Sequence, residues 1–315
     1  MTKFLIIRFS SIGDIVLTTP VIRCLKRQYP YAEVHYVTKK SYQSLLVNNP
    51  YIDKLFTLEK SLNNLVKQLK SERYDYVIDL HNSLRTTILK IRLGVKSFSF
   101  DKLNFHKWIL VKFKKNLMPK VHIVDRYMKT VESLGVKNDN KGLDYFIPKQ
   151  DEMPSDWLPE NFRKGYAVYA IGGQHETKKL PLHKMIELCK TIQLPLVLIG
   201  GKEDSVISKQ LSVIHAITPV LDTCGKYNLN QSASIIQNAS IIYTHDTGMM
   251  HVAAALKKKV ISIWGNTVPA FGMYPYQTDF EVIENNDLQC RPCSKIGYKK
   301  CPLGHFKCMN ELKFQ

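Results

Sequence analysis

The sequence predicts an α/β protein built from two parallel-sheet domains. Three observations predict it. Short runs rich in Ile, Val, Tyr and Phe alternate with runs whose apolar residues recur every three to four positions. The alternation breaks over residues 153–165, "MPSDWLPENFRKG", where two prolines and polar residues intervene, and then restarts. The polar and glycine residues gather just after the strand-like runs, where ligands of open parallel sheets collect. A chain of 315 residues also exceeds one small core, at roughly 150 residues per domain. The expected organisation is a first domain over 1–152, a linker over 153–165 and a second domain over 166–315, with a cleft between the domains.

In order along the chain, "KFLIIRF", "EVHYVT", "DKLFTL" and "YDYVIDL" read as strands. Between them "IVLTTPVIRCLKRQY", "SYQSLLVN" and "LNNLVKQLKSE" read as helices, the first kinked or started by Pro20. After the linker come strand "YAVYAIG", helix "LHKMIELCKTI", strand "PLVLIG", helix "SVISKQLSVIHA", strand "TPVLD", helix "NQSASIIQN", strand "SIIYT", helix "GMMHVAAAL" and strand "KKVISIWG". Alternation of this kind argues for parallel sheets covered on both faces.

Composition narrows the function. Hydrophobic residues at 44% and charged residues at 23% suit a globular protein, and no apolar run approaches the roughly 20 residues that cross a bilayer. The opening "MTKFLIIRFSS" reads as a first strand rather than a signal peptide, so the protein is expected in the cytoplasm. Forty-five Lys and Arg against 27 acids give a formal charge of +18, which calls for an anionic partner. Twelve of the cations and only two acids lie between Arg85 and Lys129. Within that block "LNFHKWILVKFKKNLMPK" alternates apolar residues with lysines, either as an amphipathic helix at an anionic interface or as an ordinary core-facing helix with a lysine-rich outer side.

The chemistry sits on a rim. "FSSIGDIVLTTP" places Ser10, Ser11 and Gly13 before Asp14 at a helix start; Asp14 can cap the helix or take a proton from a hydroxyl. "DLHN" ends the fourth strand. "IGGQHETKKLP" opens the second domain with Gly172 and Gly173, which let backbone approach a ligand, followed by Lys178 and Lys179. In "IGGKEDS", Glu203 or Asp204 can accept from a ribose or cap a helix. "THDTGMMHVAAAL" sets Asp246, Thr247 and Gly248 where a strand hands over to a helix, with His251 on that helix, and reads as a diphosphate seat. No GxxxxGK[ST] or GxGxxG occurs, which argues against a P-loop enzyme and a dinucleotide oxidoreductase.

These motifs, in this order, resemble glycosyltransferase family 9, the heptosyltransferases of the lipopolysaccharide inner core. "IIRFSSIGDIVLTTPVIRCLKRQYP", "YDYVIDLHNSLRTTIL", "TKKLP" and "THDTGMMHVAAALKKKVISIWGNTVP" carry the resemblance, with Leu180 where the family has tryptophan. The resemblance implies the GT-B architecture, two Rossmann-like domains facing across a cleft. It also implies inverting transfer of a heptose from an ADP-sugar to a hydroxyl of a phosphorylated lipid A or inner-core acceptor, with no cofactor or metal in catalysis. By motif, Asp14 would be the general base and Lys178 would hold the donor diphosphate. Gly173, Glu203, Asp246, Thr247, Gly248 and His251 would line the donor site, and Ser10, Ser11, Gly13, Asn82 and Arg85 the acceptor site. An acceptor in the inner leaflet would suit a peripheral protein whose basic N-terminal surface meets the membrane.

Of seven cysteines, Cys24, Cys189 and Cys224 read as reduced core residues. Cys290, Cys293, Cys301 and Cys308 can hold a structural zinc or remain four thiols. The rival readings are another sugar-nucleotide enzyme of the same architecture, with a different donor or a hydrolysing epimerase activity, and a non-enzymatic nucleic-acid-binding protein. The last would account for the charge but not for acids on the rim.

Overall fold

The computed structural model describes residues 1–154, 156–213 and 218–314. It divides into two compact units, residues 1–102 with 121–146, and residues 103–120 with 147–315. Each is a wholly parallel sheet flanked by helices.

In the first unit, β1 (Lys3–Ile7), β2 (Glu33–Lys39), β3 (Lys54–Leu58), β4 (Tyr76–Asp79) and β5 (Lys96–Ser99) are ordered β3-β2-β1-β4-β5. β1 lies in the middle, with Phe4 to Ile7 fully buried, so its run of large apolar residues serves both faces. Its register sets Ile7 level with Val37 and Asp79. The residues after these positions therefore share one edge. The expected first helix is two: α1 (Ile12–Val16) and α2 (Thr19–Gln28), with Pro20 in the first turn of the second. That is where proline is tolerated, because the N–H it lacks has no intrahelical partner there. "SYQSLLVN" is not an α-helix but a 3₁₀ turn, Lys40–Leu45; its buried residues, Leu45 and Leu46, are adjacent, and two neighbours do not make the three-to-four spaced face on which an α-helix would continue. α3 (Leu62–Ser71) follows the expected segment, and α4 (Leu84–Leu93) follows β4 and ends at Gly94 in the left-handed region. The core joins Leu5, Ile7, Val37, Val77, Leu69 and Leu89.

The second unit contains β6 (Ala167–Ala170), β7 (Leu196–Ile199), β8 (Val220–Asp222), β9 (Ile241–His245), β10 (Lys259–Trp264) and β11 (Phe280–Glu284), ordered β11-β10-β9-β6-β7-β8. Along the chain, α5 (Asn104–Phe113) and α6 (Ile123–Glu132) lie between β5 and β6. The second sheet's helices are α7 (Leu182–Thr191), α8 (Ser205–Ser212), α9 (Leu229–Asn238), α10 (Gly248–Ala255) and the short α11 (Lys307–Asn310). The expected continuation of α8 to Ala216 reaches residues 214–217, which lie outside the described residues. β5, α6, β11 and α11 were not anticipated from the sequence.

The units do not divide at 153. Residues 147–152 belong to the second, and so does the basic block 103–120, expected on the first. Within its unit that block is tied by Lys114, whose ammonium donates to the Pro292 carbonyl (2.7 Å). No helix among the described residues is long and apolar enough to cross a membrane.

Arg23 organises the first unit from below its rim. It is buried on α2, gives a paired contact to Asp139 (2.9 and 2.8 Å), bonds the Gly142 carbonyl (2.8 Å) and pairs with Asp144. The guanidinium, ahead of other causes, holds the Asp139 carboxyl down at about 2, so this stability is present above the ordinary value of 3.8 and is lost as pH falls toward 2. Replacing Arg23 by Leu should cost about 3 kcal/mol, the lower end of the range for breaking a buried pair, because both carboxylates keep some water. Urea unfolding at neutral pH and at pH 3 checks this. A loss below about 1 kcal/mol at neutral pH, in a range typical of surface pairs, would show that water satisfies these carboxylates as well as Arg23 does.

Candidate active site

The edge at the carboxyl ends of β1 and β4 carries the first group. Ser11 caps α1, and Asp14, in the first turn, accepts from both the Ser11 amide (3.1 Å) and the Ser11 hydroxyl (2.9 Å). Its other oxygen lies 2.7 Å from Arg8 Nη2. Asp14 thus caps the helix and pairs with Arg8 at once, and its carboxylate keeps 22% of its side-chain surface exposed. Arg8 is buried; Nε donates to the Ser10 carbonyl (2.8 Å), and Nη1 to the Leu80 carbonyl (2.6 Å) and the Tyr127 hydroxyl (3.0 Å). Burial, the largest single cause, opposes its charge, but Asp14 together with Tyr127 and Tyr36 outweighs it and raises the pKa. Gly13 is buried in α1, and Ser10 and Ser11 are half-buried beside it.

Asp79, fully buried at the end of β4, accepts from the amides of His81 (3.0 Å) and Asn82 (2.7 Å). Lys90 Nζ lies 2.8 Å from its second oxygen, off the hydrogen-bonding direction. Asn82 spends its amide donor on the Phe100 carbonyl (2.9 Å), so that part of a predicted acceptor residue shapes the loop. Arg85 is exposed on the first turn of α4. His81 stands edge-on to Phe9 and its Nδ1 is buried without a hydrogen-bond partner. Burial first, then the charge of Arg8, lowers its pKa to about 4, so the ring is neutral at neutral pH.

The second unit's edge carries the rest. Lys178 Nζ lies 2.6 Å from Asp246 Oδ2 and 3.2 Å from the Asp246 carbonyl, and Thr267 Oγ1 donates to the same carboxylate oxygen (2.7 Å). Thr247 is the N-cap of α10 without a side-chain bond to it, which leaves the helix start to backbone N–H groups. Gly248 opens the helix and His251 is buried one turn in. A Cβ on Gly173 would stand 3.1 Å from Thr247 Cγ2 and 3.3 Å from Lys179 Cγ, so the glycine lets three rim loops close on one another. Glu203 and Asp204 have parted roles. Asp204 is buried, bonds the Gly201 amide (2.9 Å) and fills the space over Gly172 and Gly200, whereas Glu203 is exposed. Asp204 is the cap, and Glu203 stays exposed beside it.

Three residues here escaped the sequence reading. His245, fully buried, accepts from the Leu180 amide (3.0 Å) through Nε2, which also lies 3.1 Å from the Tyr169 hydroxyl. It therefore clamps the loop of Lys178 to the strand that ends in Asp246. Arg291, buried, bonds the Thr267 carbonyl (3.0 Å) and Glu284 (2.8 Å), and so presents Thr267 to Asp246. Thr177 exchanges hydrogen bonds with the Tyr298 backbone (2.8 and 3.2 Å), which ties the lysine loop to the cysteine-rich segment. The C-x2-C spacing drew attention to that segment, but nothing in it named Arg291 or Tyr298 as supports.

The four tail cysteines are near enough to act on one another through their charges. Burial first pushes the Cys308 thiol up to about 12; Arg291 acts against this, while Cys293, Cys301 and Cys290 add to it through their charges. Among the described residues, three potential ligand atoms lie within 4.8 Å of one another at Glu33, His35 and Glu72, and not at the cysteines. In that trio Lys3 Nζ already bridges the carboxylates, 2.9 Å from Glu33 and 3.6 Å from Glu72.

Burial first, then the charge of Lys179, lowers the pKa of His245 to about 3. Unfolded, the ring takes a proton near 6.5, so folding loses that proton uptake as pH drops. Stability from this group is complete above 6.5 and falls between 6.5 and 3 by up to about 1.4 kcal/mol per pH unit. His81 adds the same sign of change between 6.5 and about 4. Denaturant unfolding across pH 4–7 should give a shallower slope for His245→Gln, which keeps an acceptor for Leu180 but does not titrate. Equal slopes would mean that the clamp is not the neutral imidazole.

Comparison with known proteins identifies the family and the fold. The family model for glycosyltransferase family 9 (heptosyltransferase) matches residues 62–304. Lipopolysaccharide heptosyltransferase 1 of Campylobacter coli is 25% identical over 295 residues, 84% of each chain. Lipopolysaccharide core heptosyltransferase OpsX of Haemophilus influenzae is 24% identical over 314 residues, 90% of this chain and 82% of the relative. Among solved structures, a family 9 glycosyl transferase of Veillonella parvula superposes with a TM-score of 0.74 at 22% identity, over 91% of this chain and 86% of that one. The E. coli heptosyltransferase WaaC, solved with ADP, gives 0.69 at 20% identity, over 90% and 93%. These likenesses establish the fold as GT-B, with one Rossmann-like parallel sheet in each unit. The chain belongs to glycosyltransferase family 9, the heptosyltransferases.

Proposed function

We propose that the protein transfers a heptose from an ADP-sugar to a hydroxyl of a phosphorylated lipopolysaccharide-core acceptor, with inversion at the anomeric carbon. The observation that carries this reading is the pairing of Lys178 with Asp246 beside a helix start that no side chain caps. A diphosphate arriving at Thr247 to Met249 finds N–H donors there and an ammonium within reach. Asp246 keeps Thr267 when Lys178 turns to the ligand, so its carboxylate is not abandoned. Gly173 gives the ligand backbone to approach, Glu203 accepts from the ribose hydroxyls, and His251 packs behind the helix start.

Asp14 is the base. Its carboxylate takes the proton of the acceptor hydroxyl as that oxygen bonds to the anomeric carbon, and the bond from that carbon to the diphosphate breaks. The electron pair leaves on ADP, whose new charge Lys178 and the helix start stabilise. Attack passes through an oxocarbenium-like state, as in glycoside chemistry. Arg8 and Ser11 hold the carboxylate in one orientation, and Ser10, Gly13, Asn82 and Arg85 form the surrounding acceptor edge. No cofactor or metal enters these steps. Zinc on Cys290, Cys293, Cys301 and Cys308 is a separate, structural proposal, supported by the C-x2-C pair and by the charges that the other three thiols exert on Cys308; the sulfurs would have to draw together to hold the ion. It is refuted if metal analysis of the purified protein finds none.

The aromatic side of α5 supports a place at an anionic inner leaflet. Phe105, Trp108 and Phe113 are exposed, with ring centroids 6.1 and 5.3 Å apart in sequence, among Lys107, Lys112, Lys114 and Lys115.

Calorimetric titration with ADP, UDP and GDP tests the donor. ADP should bind selectively; preference for UDP or GDP would move the sugar nucleotide, and no binding would remove the reading. Asp14→Asn should lower turnover by roughly 10²–10⁴-fold, the usual share of general-base catalysis, with ADP affinity within about twofold of wild type. Lys178→Ala should weaken ADP binding by roughly 10–100-fold, the loss of one charge-assisted contact. Wild-type turnover in Asp14→Asn would exclude it as the base.

A further inference from the structure

Helix α4 turns an apolar row to water. Leu84, Ile88 and Ile91 are spaced by four and three residues, hence share one face, and are 78%, 38% and 74% exposed. The side of α4 that packs inward is held by Thr86 and Leu89. A single exposed leucine needs no explanation, but three aligned on one helix do. Arg85 and Arg92 lie on the same helix and are exposed as well. Arg85 also lines an open pocket of about 230 Å³ with Lys39, Lys40, Ser41, Leu58 and Glu59. That pocket sets three cations against one carboxylate.

The two features are contiguous through Arg85, and they stand at the working edge. Lys39 and Leu58 end β2 and β3, and α4 begins just after the end of β4, so pocket and row start at the edge that carries Asp14. We propose that this face of the first unit docks on an anionic bilayer. Leu84, Ile88 and Ile91 enter the interface between headgroups and acyl chains, and Lys39, Lys40 and Arg85 receive a lipid phosphate.

Size and chemistry select this occupant. A row one helix wide and three side chains long falls far short of the roughly 800 Å² per partner that a stable protein interface needs. Shallow insertion of an apolar stripe beside basic residues requires no more than this. Nucleic acid would want flat rings on which bases stack, and the row is wholly aliphatic. The inference rests on the proposed function in one respect: it brings Asp14 to a hydroxyl held at the membrane surface. Docking itself is measured without any sugar donor.

The test is co-sedimentation of the full chain with phosphatidylcholine vesicles, with and without phosphatidylglycerol, alongside ADP titration of every variant. Wild type should partition at least about tenfold more strongly to the anionic vesicles, in line with the salt-screened attraction of several cations. The triple variant Leu84→Ser, Ile88→Ser, Ile91→Ser should lose about tenfold or more of that binding, since each exposed aliphatic side chain contributes to insertion. Lys39→Ala with Lys40→Ala, which leaves the acceptor edge untouched, should erase the preference for anionic vesicles. Unchanged ADP binding shows that these variants fold. Phe105→Ser with Trp108→Ser is the comparison: if it abolishes vesicle binding while the triple variant binds like wild type, the α4 face is not the docking surface. Wild type that ignores anionic vesicles yet binds ADP overturns the docking proposal alone. Vesicle binding without ADP binding overturns the proposed reaction and leaves the docking surface standing.

Discussion

Every strand pair in both sheets is parallel, and the positions of the functional groups follow from that. Parallel hydrogen bonding points all carboxyl ends of a sheet one way, and each return to the next strand needs a long crossover. The chain therefore turns from strand to crossover repeatedly along one edge. Polar residues placed at those turns become neighbours although they are distant in sequence. Asp14 meets the loop after β4 because Ile7 and Asp79 are in register, and Asp246 meets Lys178 because β9 lies beside β6.

Neighbouring turns are not yet a site; they have to be held. Three buried guanidiniums do this work in different places. Arg8 gathers Asp14, the Leu80 carbonyl and Tyr127, which lies 119 residues away. Arg23 gathers the 139–144 segment under α2. Arg291 gathers the strand end before Thr267. A guanidinium carries five donors in a fixed fork and stays charged when buried, so one such side chain can bond several loops at once. Lys178, by contrast, stands on the rim, where its ammonium can change partners.

The glycines of the second rim have a related purpose. Gly172 and Gly200 leave room for the Asp204 carboxylate, and Gly265 lies where a Cβ would strike the Thr177 carbonyl at 2.9 Å and Met309. Small residues allow the loops to touch, and buried polar side chains then bond across the contact. His245 belongs to this arrangement. Its neutral ring supplies an acceptor for Leu180 in a place where a charge would be costly.

The sequence by itself determined the fold class and the candidate residues of the rim. Periodicity of two against three to four separates strands from helices locally, and Asp14, Lys178 and Asp246 stand out because they interrupt apolar runs at strand ends. It did not reveal β5, "KSFS", a short strand with most of its residues exposed, because an edge strand buries too little to leave a pattern. Nor did it reveal that residues 103–120 group with the second unit, since a basic amphipathic run carries no mark of what it packs on. The roles of Arg8, His245, Thr267 and Arg291, and the division of labour between Asp204 and Glu203, were decided only by tertiary structure. Each depends on a partner brought near by the sheet, as Leu180 is to His245 across 65 residues. A hydrogen bond acts over about 3 Å, and no local pattern records which distant backbone group will lie within it.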